Sequence, residues 1–225
     1  MLKISNFAQE TTTHFAMPSI ASLTGQKTRT MLIDVARMLF AKWGKANTTM
    51  NDIANASNKG RRTLYTYFSN KDQIYLAVIE QELNILNEKL QKVAAMDIPP
   101  DKKLAEYIFT RLDAVKESIT RNGSLKSDFF RDIYEVEKAR RRFDIKEIKL
   151  LVGIFQEGKE KGYFNLHDAE LSAQIFHYAL RGIETPYVRD RVSEKMKYNK
   201  RFIINAFMHG ILIPKQNQPN NNTHE

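Results

Sequence analysis

Arg61, Arg62, Thr63, Tyr65, Thr66 and Tyr67 lie within seven consecutive residues, and no carboxylate stands among them. Those side chains suit one kind of chemistry. A guanidinium can bond the O6 and N7 edge of guanine, threonine offers a hydroxyl or a methyl group, and tyrosine hydroxyls reach phosphate oxygens. Leu64 and Phe68, four apart, must share one side of a helix. At 100° per residue the opposite side carries Arg62, Thr63 and Thr66, flanked by Arg61, Tyr65 and Tyr67. The plainer alternative is a solvated basic face on an ordinary helix.

Flanking residues say how such a helix is positioned. Thr49-x-x-Asp52 has the form of a capping box, followed at helical spacing by Met50, Ile53 and Ala54. Ser57-Asn58-Lys59 reads as a turn, since asparagine tolerates a left-handed backbone. Gly60 can cap a second helix, expected from Arg61 to Phe68. Helix, short turn, helix is the outline of a DNA-binding helix-turn-helix. Ser69-x-x-Asp72 then predicts the cap of a further helix. It puts Lys71 where its ammonium can meet the DNA backbone. Thr48 and Thr49 stand at the start of the first helix of the motif. Upstream, Leu32, Val35, Ala36, Leu39 and Phe40 form an amphipathic stripe on a helix expected from Lys27 to Trp43, closed by Gly44. Lys27, Thr28 and Arg29 at its start can meet phosphates through side chains and free N–H groups. Trp43, the lone tryptophan, reads as domain packing.

These residues resemble the N-terminal domain of the tetracycline-repressor-like (TetR/AcrR) regulators across Thr28 to Glu82. Phe40 with Gly44, Thr48-Thr49, Asp52-Ile53-Ala54, Thr63-Leu64-Tyr65, Tyr67-Phe68 and Asn70-Lys71 fall on the family pattern without a gap. Three positions depart from it. The turn is Asn58-Lys59-Gly60 rather than Gly-Val-Ser, Arg62 replaces a small residue, and Tyr67 replaces histidine. All three lie where operator sequence is read. The resemblance implies an all-α chain: a three-helix DNA-binding domain, then a helical bundle that binds a ligand and dimerises. It further implies a repressor that a small-molecule effector releases from DNA.

The remaining sequence fits helices with short breaks and no strand-type alternation. The expected divisions are an irregular arm at 1–24, the DNA-binding domain at 25–71, an effector and dimerisation domain at 72–213, and a polar tail at 214–225. Helices are expected from Asp72 to Ala95, Lys102 to Thr120, Ser124 to Phe143, Ile145 to Lys161, Asp168 to Ile183 and Val192 to Ile213, with Pro186 closing the fifth. Tyr107, Phe109, Phe129, Phe130, Tyr134 and Phe155 make the middle helices aromatic. They read as helical core or, by resemblance, as an effector pocket. Leu171, Ile175, Tyr178, Ala179 and Gly182, with Ala206, Phe207 and Gly210, give the last two helices broad apolar faces. The resemblance implies a homodimer built on them, and a two-fold dimer matches a palindromic double-stranded operator.

Of the chain's 225 residues, 27% are charged and 42% hydrophobic, ordinary for a globular protein. The net charge of +9 is unevenly placed. Residues 1–71 hold ten Lys/Arg against three Asp/Glu, a net +7. Phosphate-binding domains carry such a footprint. The absence of cysteine excludes disulfides and thiolate chemistry and fits a reducing cytoplasm. No run is long enough to span a membrane. The five histidines, among them His177 and His209, lack metal-ligand spacing, and there is no glycine-rich phosphate loop. No metal, cofactor or catalytic group is therefore expected. The competing class is a helical interaction module whose basic face binds an acidic protein.

Overall fold

The computed structural model describes residues 20–122, 133–188 and Asn205. Those residues form seven helices, α1 (Ile20–Asn47), α2 (Met50–Ala56), α3 (Arg61–Tyr67), α4 (Lys71–Ala94), α5 (Pro100–Asn122), α6 (Ile133–Glu160) and α7 (Ala169–Val188). Phe129, Phe130, Ala206, Phe207, Gly210, residues 1–19 and the tail lie outside the described residues, as does the expected final helix apart from Asn205.

The helices pack around two apolar clusters. The first, in the head, gathers Leu32, Ala36 and Phe40 of α1, Ile53 of α2, Leu64 and Phe68 near α3, and Ile74 to Leu83 of α4. Each fully buried leucine or phenylalanine there contributes about 1.5–3 kcal/mol. The second, in the bundle, gathers Leu86 to Val93 of α4, Leu104 to Leu112 of α5, Leu151 to Phe155 of α6, and Phe176 and Leu180 of α7. One half of α4 thus serves each core, and a boundary after residue 71 falls at the start of a helix that both share. Helix α6 does the same. Ala139 and Phe143 pack into the head cluster, whereas Leu151 onward packs into the bundle.

Four expectations are corrected. Helix α1 begins at Ile20, so residues 20–24 are not part of an irregular arm, and it runs to Asn47 across a non-helical Gly44 (φ 81°). Trp43 is 43% exposed, with the Lys42 ammonium 5.6 Å from its ring centroid. The apolar row of α1 overruns the core that covers it. Residues 143–145 do not break the chain. α6 is continuous to Glu160, because Asp144 turns inward onto α7 instead of capping a new helix. Helix α7 continues past Pro186 to Val188. Gly162 ends α6 as expected, with φ 72°. The turn after it lays the Phe164 ring against Gly158, where a side chain would collide.

Candidate nucleic-acid interface

The local chemistry of the motif forms as the sequence predicts. Thr49 is the N-cap of α2. Its hydroxyl accepts from the Asp52 N–H at 3.1 Å, and its own N–H donates to the Asp52 carboxylate at 2.8 Å. The Thr49 side-chain and backbone hydrogen bonds hold the Asp52 carboxyl below its ordinary value. Asn58 takes the left-handed turn at φ 51°, and Gly60 caps α3. The next cap differs from expectation. Asn70, not Ser69, caps α4, accepting from the Gln73 N–H at 2.9 Å, while the Ser69 N–H donates to the Gln73 side chain.

On α3, Leu64 and Phe68 are buried, and Arg61, Arg62, Tyr65 and Thr66 are exposed. No described carboxylate pairs with either arginine. The Thr66 hydroxyl donates to the Arg62 carbonyl at 3.0 Å. Thr63 and Tyr67 are half-buried, and the Tyr67 hydroxyl approaches Gly25 of α1. Lys27 is exposed, Thr28 half-buried, and the Arg29 guanidinium lies 5.1 Å from the Phe68 ring centroid. The start of α1 is thereby tied to the end of α3.

Two expected contact residues are spoken for. Thr48 is fully buried and its hydroxyl donates to the Gly44 carbonyl at 2.9 Å, so its side chain faces inward. The Lys71 ammonium donates to the Lys45 carbonyl at 2.6 Å and the Ala46 carbonyl at 3.3 Å. Lys45 answers from the other side, pairing with Asp72 at 3.0 Å and standing 4.2 Å from the Tyr75 ring centroid.

The bundle holds a second constellation that the sequence analysis did not single out. Arg111 of α5 pairs with Glu147 of α6 at 2.9 Å and with Glu184 of α7, all three in the interior. His177 of α7 has Nε2 3.2 Å from Asp144 and Nδ1 3.4 Å from Glu147. Arg181 bridges Asp144 and Glu137 at 3.0 and 2.9 Å. Burial alone would raise the Glu147 carboxyl, but the Arg111 charge and bonds from His177 and Arg111 bring it to about 2. Burial would likewise lower the His177 imidazole. Asp144 and Glu147 outweigh it and raise His177 above its ordinary value. Of the aromatic residues expected at a pocket, Tyr107 and Phe155 are buried in the bundle core and Phe109 is half-buried. Tyr134 lies on α6, its side chain outside the described set. Along α7, Leu171, Ile175 and Tyr178 are 53%, 63% and 57% exposed, and Ala179 and Gly182 are exposed beside them.

An acid-free basic helix held across a turn by a capped partner defines a helix-turn-helix DNA-binding protein. Comparison with known proteins agrees. Residues 32–78 match the model of the bacterial regulatory proteins of the tetR family. The chain is 23% identical over 183 residues to the HTH-type transcriptional regulator QacR of Staphylococcus aureus, covering 80% of this chain and 96% of QacR. It superposes on a transcriptional regulator from Cytophaga hutchinsonii with a TM-score of 0.68 and 25% identity, covering 82% and 98% of the two chains. SmeT, the repressor of a Stenotrophomonas maltophilia multidrug efflux pump, shares the fold at a TM-score of 0.64 and 15% identity, covering 85% of this chain and 93% of SmeT. SmeT has also been solved in complex with triclosan. Residues 32–78 thus match a tetR-type DNA-binding domain, and the chain is a DNA-binding transcriptional regulator.

Proposed function

We propose that this chain is a cytoplasmic repressor that binds a palindromic double-stranded operator as a two-fold dimer and is released by a small-molecule effector. One observation carries the DNA side of the reading. The exposed face of α3 presents Arg61, Arg62, Tyr65 and Thr66 with no acidic residue, while Leu64 and Phe68 anchor the opposite face. Arg62 enters the major groove and contacts a base. Arg61, Tyr65 and Thr66 flank it. Lys27, Thr28 and Arg29 at the head of α1 and the exposed Thr49 N-cap meet phosphates. Thr63 and Tyr67 contribute through their exposed edges.

Dimerisation is supported by the stripe of Leu171, Ile175 and Tyr178, which leaves an apolar row on the surface of one chain. Ala179 and Gly182 on the same side allow close approach of a second α7. Repression and effector release are the reading that the SmeT precedent supports, with the effector seated among the bundle helices. The aromatic set from Tyr107 to Phe155 is the proposed lining, and the coupling is a population shift between two spacings of the heads.

Binding to operator variants differing at single base pairs tests this reading. Arg62→Ala should cost about 1–3 kcal/mol on the best operator and relax preference at one base pair per half-site. An equal loss on every sequence would show that Arg62 reads no base. A charge at Ile175 should shift the solution mass toward monomer, and an unchanged dimer would remove α7 from the interface.

A further inference from the structure

The end of α1 is finished in an unusual way. A helix terminus leaves its last four carbonyls without intrahelical partners. Here each of four consecutive carbonyls has a designated donor. Asn47 Nδ2 reaches Trp43 O at 2.9 Å, and Thr48 Oγ1 reaches Gly44 O at 2.9 Å. Lys71 Nζ reaches Lys45 O at 2.6 Å and Ala46 O at 3.3 Å. The first two donors are local, Asn47 being the last residue of α1 and Thr48 the residue after it. The third comes from the first turn of α4, 26 residues away, and places a cation against the carbonyls that follow the kink at Gly44. The reciprocal pair, Lys45 with Asp72, closes the same junction from the other side.

That junction lies immediately after α3. Tyr67 ends the helix, Phe68 is its C-cap, and only Ser69 and Asn70 separate that cap from Lys71. The start of α1 already holds Phe68 through Arg29. Fixing Lys71 to the other end of α1 therefore fixes the exit of α3. The angle of α3 decides which base edge Arg62 meets.

We infer that Lys71 is a positioning residue for sequence readout, clasping the α1 terminus to the exit of α3, and not a phosphate contact. This inference rests on the operator-binding reading above. The two roles differ in what they do to salt dependence. A phosphate contact adds sequence-independent affinity and about one unit of salt slope per site. A clasp adds no released counterion and acts through the base contact.

The test uses the full chain with Lys71→Met, which keeps most of the stem without the ammonium, and Lys71→Arg, which can still donate to both carbonyls. Affinity is measured for the operator, its single-base variants and random DNA at several salt concentrations. Amide exchange is followed at Thr48 and Thr49. Lys71→Met should lower the ratio of operator to random-DNA affinity by about tenfold, the size of one weakened base contact. Its salt slope should be unchanged, and the Thr48 amide, which donates to Lys45 O at 3.4 Å, should exchange faster. Lys71→Arg should restore both. A mere loss of fold stability would weaken binding to all sequences together and would overturn the inference. So would a fall in salt slope with the ratio intact, which would make Lys71 a phosphate ligand. If the wild type itself showed no operator preference, the functional reading would fail, and the exchange data would still decide whether Lys71 holds the junction.

Discussion

The head and the bundle use charge in opposite ways. On the outside of the head, Lys27, Arg29, Arg61 and Arg62 are exposed over an apolar core. In the bundle, Arg111, Glu147 and His177 are sealed inside, joined to Glu184, Asp144 and Arg181. An exposed cation keeps its full hydration until a polyanion replaces it, so it contributes to binding and little to folding. A buried ion has already lost its water, so its value depends on every partner staying in place. The lesson is that net charge marks the basic segment of the chain, whereas local pairing marks the polar core.

The contrast can be broken or sharpened in four steps of decreasing size. Salt should separate the two regions most. With about six phosphates neutralised per dimer, operator affinity should fall about a thousandfold between 50 and 200 mM salt. The denaturation midpoint should scarcely move, since buried pairs are screened little. A salt-insensitive complex would mean that the exposed cations of the head are not its binding face.

Next, Arg111→Leu should destabilise folding by about 3 kcal/mol, because buried Glu147 and Glu184 lose their shared counter-ion and keep only His177 at 3.4 Å and Arg140 at 3.6 Å. Urea denaturation measures it, and a cost below 1 kcal/mol would show that water enters the cluster. Arg62→Ala comes third. It should leave folding within about 0.5 kcal/mol of wild type, as surface substitutions do, while reducing operator affinity as described above.

The smallest effect is a slope with pH. His177 has its folded value raised above the ordinary 6.5. Its contribution to stability is therefore complete below pH 6.5 and is lost as pH rises through the folded value. From α5 Arg111 faces it, from α6 Asp144 and Glu147, and on α7 the Tyr178 ring. Residues 25–71 contain no histidine. Stability should fall gently above pH 6.5, and His177→Gln should abolish that slope. A slope that survives the substitution would place the titrating group elsewhere.

What was legible in the sequence was chemistry confined to a few neighbouring residues. Asp52 three after Thr49, Asn58 in a turn and Gly60 before a helix each satisfy or permit a local backbone group, so spacing alone locates them. The anchoring of α3 by Leu64 and Phe68 is legible for the same reason. The role of Lys71 is not, because its acceptors are backbone carbonyls 26 and 25 residues away and no side-chain pattern marks a carbonyl. The α4 cap was misassigned because Ser69 and Asn70 are both good caps, and only the fold chooses between them. The continuity of α6 is not legible locally, because the partners of Asp144 lie on α7. The buried ion cluster did leave a signal. Arg111 falls in register with Leu104, Ile108 and Val115, and Glu147 with Phe143, Leu151 and Ile154. A charge inside an apolar helical row asks for an opposite charge in a facing row, and that correspondence was there to be read.

Helix α6 is about 42 Å long at 1.5 Å per residue. Phe143 fastens it to the head and Asp144, the next residue, fastens it to α7. Mechanically it is a torsion shaft whose two bearings sit on adjacent residues, about 100° apart around the axis. With so little shaft between the bearings, no twist can be absorbed along the way. A rotation imposed at the α7 bearing is felt at the head bearing, so α7 and the head are coupled through this one helix.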